Sequence, residues 1–218
     1  MSRAIIVLYF EPMPTAASST AAFEQWRINI LNGLPSANWV RKVAASDKIS
    51  DAQPYKEQFI VDLDDQKDAT ESVIEALRTD AGSIVAHSDW HIYREISRRL
   101  RPGVNTSDYP PTGTELVQVG MAPTPTSIQD YHDWFDQEHF QMLADIPGWR
   151  YGSRYELVAS YGDGKEEAWP LMSANEYEVE SGLGGPIWQK SMDTPWTVKV
   201  LSNLSKPNHR RTWKYVPL

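Results

Sequence analysis

The chain has 218 residues, enough for one large domain or two of about 100 residues each, and enough to bury a core without a disulfide or metal staple. It contains no cysteine, which excludes disulfide frameworks, thiolate zinc sites, iron–sulfur clusters and cysteine nucleophiles. A net charge of -8 and a pI near 5.1 exclude a phosphate-backbone partner, and no apolar run reaches the ~20 residues of a membrane span. The opening MSRAIIVLYFEP is too short for a secretory leader and lacks a cleavage site, so a cytoplasmic location is expected.

Ala4–Phe10 is an apolar run ended by Glu11 and two prolines, and reads as a buried strand. In residues 21–34, Phe23, Trp26, Ile30 and Leu34 recur at helical spacing before Pro35. Strands are expected over 39–45 and 58–63, a helix over 65–81 stopped by Gly82, and a last strand over 84–93. The segment 101–113 holds three prolines and two glycines with few apolar residues, which is the chemistry of an exposed linker. After it come a strand (115–121), a helix (127–146) opened by a Ser127-x-x-Asp130 capping box, and a long strand (149–161). In that strand Trp149, Tyr151, Ser153, Tyr155 and Leu157 share one face by simple alternation. A strand over 169–175, an interrupted helix over 176–193 and a fourth strand over 197–203 complete the second part.

Each part thus gives the order β-α-β-β-α-β. This predicts an α+β protein of two ferredoxin-like halves, 1–100 and 114–218, joined by 101–113 and packed sheet to sheet as an internal barrel.

The helix over 127–146 carries the chemistry. On a regular helical wheel Ile128, Phe135, Met142 and Ile146 fall within about 40° of one line, with His139 inside the stripe, His132 beside it, and Asp136 and Glu138 at its edges. A histidine there is either a hydrogen-bonded core residue or a site residue whose pKa its neighbours set. A second cluster lies in 85–93, where alternation puts His87, Asp89, His91 and Tyr93 on one strand face. Two histidines and a carboxylate could hold a metal, but without an apolar surround they read as a solvated strand end next to the basic run 94–101.

Tyr131-His132-Asp133-Trp134-Phe135-x-x-Glu138-His139, the Pro147-Gly148 turn, Arg154-Tyr155 and the ending Arg210-Arg211-Thr212-Trp213 resemble the EthD-like branch of the dimeric α/β barrel superfamily over about residues 114–216. The resemblance implies a pocket between the sheet and its helices. His139, Tyr151 and Tyr155 would be catalytic there, with His132, Trp134, Phe135, Met142 and Arg154 against the substrate. It further implies a cofactor-independent enzyme of secondary metabolism acting on a small aromatic or polyketide-like molecule, as a cyclase, decarboxylase or isomerase. The alternatives are a cofactor-free monooxygenase of a hydroquinone-like substrate and a nonenzymatic barrel that binds a hydrophobic ligand. A haem enzyme ranks behind these, and a homodimer of such chains stays open. Aligned on Phe23-Glu24-Gln25-Trp26, the first part places Leu31 opposite His139 and Ile30 opposite Glu138, which leaves it a structural role.

Overall fold

A computed structural model describes residues 2–15, 19–47 and 54–217. Eight antiparallel strands close into a barrel: β1 (Ala4–Pro12), β2 (Ala37–Ala45), β3 (Glu57–Leu63), β4 (Val85–Leu100), β5 (Glu115–Met121), β6 (Trp149–Gly162), β7 (Leu171–Tyr177) and β8 (His209–Tyr215). Around the barrel they run β1-β3-β2-β8-β5-β7-β6-β4, so each half sets its fourth, first, third and second strands side by side. The two sheets do more than face each other. They share edges, with β4 paired to β6 from Asp89↔Gly162 to Leu100↔Tyr151 and β2 paired to β8 from Val43↔Tyr215 to Ala45↔Trp213. Closure removes the free edges that would otherwise invite pairing with other chains.

Strand alternation sorts side chains into two environments. Inside the barrel lie Ile5, Val7, Tyr9, Tyr93, Tyr155, Met172, Trp213 and Tyr215. Outside, helices cover each half. Over the first half, α1 (Thr20–Gly33) and α2 (Glu71–Asp80) bury Phe23, Trp26, Ile30, Ile74 and Leu77 against Leu8, Phe10, Phe59 and Trp90. Ser19 caps α1 by accepting from the Ala22 amide, and Thr70 caps α2 by accepting from the Val73 amide. Over the second half lie α3 (Ile128–Trp134), a π-helical turn (Phe135–His139), α4 (Phe140–Ala144), α5 (Pro186–Met192) and α6 (Pro195–Ser202).

Several expectations change here. Residues 197–203 are not a strand; Pro195–Ser202 is α6, and the final strand is His209–Tyr215. Trp196, Val198 and Val200 alternate like a strand, but Thr194 accepts from the Thr197 amide and Pro195 occupies the first turn, two helix-start signals that outweigh the alternation. The Ser127 capping box does not form. The Ser127 hydroxyl donates to the Thr124 and Asn203 carbonyls, while Asp130 accepts from Trp196 and Lys199. The strand expected to stop at Tyr93 runs on to Leu100, because pairing with β6 extends it. The connection 101–113 is mostly exposed, as expected, yet it is strapped across a barrel end. Buried Arg41 donates from Nη2 to the Thr106 and Asp108 carbonyls, both at 2.7 Å, and the Tyr109 hydroxyl donates to the Val216 carbonyl at 2.9 Å.

Candidate active site

The helix over the second half is where the regular wheel fails. Its buried line is Tyr131, Trp134, Phe135, His139, Phe140, Leu143 and Ile146, whereas Ile128 is exposed and Met142 only half-buried. The cause is the π-turn. Winding the chain by one extra residue sets position i over i+5, so the Trp134 and His139 rings stack, with centroids 4.1 Å apart and planes at 22°. Phe135 meets the same imidazole edge-on at 5.3 Å.

This turn is tied to α6 by a chain of hydroxyls. Trp134 Nε1 donates to Thr197 Oγ1 at 3.1 Å, the Thr197 hydroxyl donates to the Ser191 carbonyl at 3.0 Å, and the Thr194 hydroxyl donates to Glu138 Oε1 at 2.6 Å. Glu138 is therefore held away from its neighbour His139. Asp136 is held too, by the Arg154 guanidinium, which also meets His132 Nδ1 and lies over the Phe135 ring at 4.8 Å. Neither carboxylate supports a proton on His139. Burial pushes the imidazole down to about 4, opposed by a hydrogen bond with the Ser191 backbone, so the ring is neutral at pH 7. Its Nδ1 is buried and has no hydrogen-bond partner.

His139 lines a narrow cavity of about 60 Å³. The cavity lies between the outer face of β5 and β7 and the helices. Apolar walls come from Val117, Trp134, Leu143, Leu183, Trp188 and Met192; polar groups come from Ser173, Asn175, Thr197, Asn208 and Arg210. The structure brings His139 and Trp134 to the cavity. Phe135, His132 and Arg154 cluster beside them without lining it, and Met142 stays outside.

Tyr151 and Tyr155 are on the other side of the sheet. Both line a chamber inside the barrel with Asp62, Arg98, Gln118 and Tyr215, so they cannot join His139. The single-face reading of β6 breaks at Arg150, where the register slips between Trp149↔Tyr177 and Tyr151↔Glu176. That bulge leaves Trp149 outside, edge-on to Phe140, and turns Tyr151 inward. Burial raises both phenols, Tyr155 to about 12.

The 85–93 cluster also divides. His87 sits on the rim, donating from Nδ1 to Asp163 Oδ2 at 3.0 Å, and its side chain is 42% exposed. Asp89 and His91 are not solvated; each is 1% exposed inside the barrel. Asp89 accepts from the Tyr55 hydroxyl at 3.0 Å and from the Gly164 and Glu166 amides at 2.6 and 2.7 Å. Burial lowers His91 to about 4 and raises Glu166 to about 7, the latter against the pull of Arg211. No group of three or more metal-ligating side chains forms among the described residues. Missing from the sequence reading were Ser173 and Asn175, although Ser173, Asn175 and Tyr177 alternate along β7 and that alternation could have found them.

No protein-family model matches the chain, and no curated protein matches it significantly in sequence. Solved structures do resemble it. An anthrone oxidase-like protein superimposes with a TM-score of 0.65 at 13% identity, over 99% of this chain and 92% of that one. A protein from Lactobacillus acidophilus with a provisional monooxygenase assignment gives 0.60 at 6% identity, over 99% and 94%. A chlorite dismutase variant from Candidatus Nitrospira defluvii gives 0.63 at 9% identity, over 99% and 91%. Likeness at such low identity speaks for the fold alone, a closed antiparallel barrel covered by helices. No helix among the described residues is long and apolar enough to cross a membrane.

Proposed function

We propose that the chain is a small-molecule enzyme that works in the outer cavity of its second half, with His139 as general base towards a flat, phenol- or ketone-bearing substrate. The observation that carries this is a neutral, buried imidazole with an unpartnered Nδ1 in the wall of an apolar cavity. Such a ring takes a proton and has none to give at pH 7. Its low pKa makes it a weak base, so it suits a substrate whose C–H or O–H is already acidic, next to a carbonyl or on a hydroquinone-like ring.

The carbanion formed has two fates. It can be reprotonated, cyclise or lose carbon dioxide, giving an isomerase, cyclase or decarboxylase of aromatic or polyketide-like molecules. It can instead pass an electron to oxygen, giving a monooxygenase without a cofactor. We rank the two equally, since similar structures include an anthrone oxidase-like protein and one with a provisional monooxygenase assignment. The strand orders β4-β1-β3-β2 and β8-β5-β7-β6 support reading the chain as two ferredoxin-like halves, 1–100 and 114–218, of an internal dimeric barrel of EthD-like kind.

An oxygen electrode with anthrone and with a naphthohydroquinone separates the fates. His139-dependent oxygen uptake assigns the monooxygenase, and turnover without uptake assigns the others. No turnover and no binding of either compound would leave the nonenzymatic or another reading in its place. A Soret band on the purified protein would instead mean that the imidazole holds a haem.

A further inference from the structure

We propose that Asn175 is the group that binds the substrate's oxygen in the His139 cavity and stabilises its negative charge. This rests on the functional reading above. Asn175 is 3% exposed on β7 and lines the same cavity as His139. Its amide orientation is settled by chemistry. Trp149 Nε1, which can only donate, points at Asn175 Oδ1 from 3.2 Å. The acceptor end of the amide is thereby used, and the Nδ2 donors have no protein partner among the described residues.

Two features of the sheet make room for this arrangement. The bulge at Arg150 turns Trp149 outward to reach Asn175. Beside it β6 carries Gly152, where a Cβ would overlap the Asn175 amide oxygen and come within 2.7 Å of Phe140. A preorganised N–H donor near a general base is what an enolate or phenolate requires. As a C–H or O–H bond of the substrate breaks, its proton passes to His139 and the electron pair left behind delocalises onto the oxygen. The Asn175 N–H groups meet that charge. No oxidant or reductant is involved in this step.

Equilibrium dialysis with 2-naphthol and with naphthalene tests the assignment, because the two probes differ only in the hydroxyl. Asn175→Leu keeps the size and removes the donors. It should weaken 2-naphthol by about 5–30-fold, the range for one lost hydrogen bond, and leave naphthalene within about twofold. Equal loss of both probes, or no loss of either, overturns the inference and leaves the cavity reading intact. If the unaltered protein binds neither probe, the cavity reading falls and the inference with it. Should Asn175→Leu not fold, Trp149→Phe frees the amide to turn over and should weaken 2-naphthol alone by about 2–5-fold. In the unaltered protein the Asn175 side-chain amide resonance should shift with 2-naphthol and stay put with naphthalene; the same shift with both also overturns the assignment.

Discussion

The two halves have the same order of strands and differ in what their helices place on the sheet. Over the first half, α1 lays Phe23, Trp26 and Ile30 onto Phe10, Phe59 and Trp90, all at most 3% exposed, and this layer is filled with apolar side chains. Over the second half a comparable Trp134 begins a π-turn, and the layer keeps a cavity walled by His139, Ser173 and Asn175 as well as apolar groups. One inserted residue accounts for much of this. In α1 the fully buried residue after Trp26 is Ile30, four positions on, whereas Trp134 stacks on His139, five positions on. Leu31, expected to mirror His139, is only partly buried. Duplicated architecture thus fixes neither half's role; the extra residue and the polar lining do.

The sharpest way to break the comparison is to remove the imidazole. His139→Gln should leave cooperative unfolding intact and lower turnover by about 10²–10⁴-fold with whichever substrate is found. Unchanged turnover would make His139 a core residue like its first-half counterparts. The opposite substitution, Ile30→Ala, should cost about 2–5 kcal/mol of stability in denaturant titrations and leave the cavity's ligand affinity unchanged. A large loss of affinity would mean that the first half takes part in the site.

Acid sharpens the contrast. A histidine held at about 4 when folded and near 6.5 when unfolded costs stability as pH falls from 6.5 towards 4, because only the unfolded chain takes up the proton. His139→Gln should therefore lose about 2–3 kcal/mol less than the unaltered protein between pH 7 and pH 4.5. Ile30→Ala should shift both pH values equally. Glu166 acts in the other direction: its carboxyl, raised to about 7, favours folding below its unfolded value, and that stability is lost as pH rises through 7. Glu166→Gln should flatten the same curve between about pH 4.5 and pH 7. The smallest effect is expected from Thr197→Val, which leaves Trp134 Nε1 without its acceptor and should cost about 1–2 kcal/mol, read from the denaturation midpoint.

Local pattern was enough to place most strands, both helices of the first half and the apolar helix bearing His139, since burial on one face imposes a period of 2 or 3.6 on the sequence. Pattern alone also placed His139 in an apolar setting and Phe135 beside it. What it could not supply were events that break the period. A π-turn, the Arg150 bulge and the Thr194-Pro195 helix start each shift side chains by a fraction of a turn or onto the opposite face, and each draws on partners distant in sequence. Tyr151 and Tyr155 went to the barrel interior for that reason, and Asp89 and His91 were desolvated by strands and a loop that the segment 85–93 does not contain. The chain by itself determined which residues are apolar, acidic or aromatic and at what spacing. Only closure of the barrel decided which of them share a cavity, because a sheet has two faces and one extra residue exchanges them.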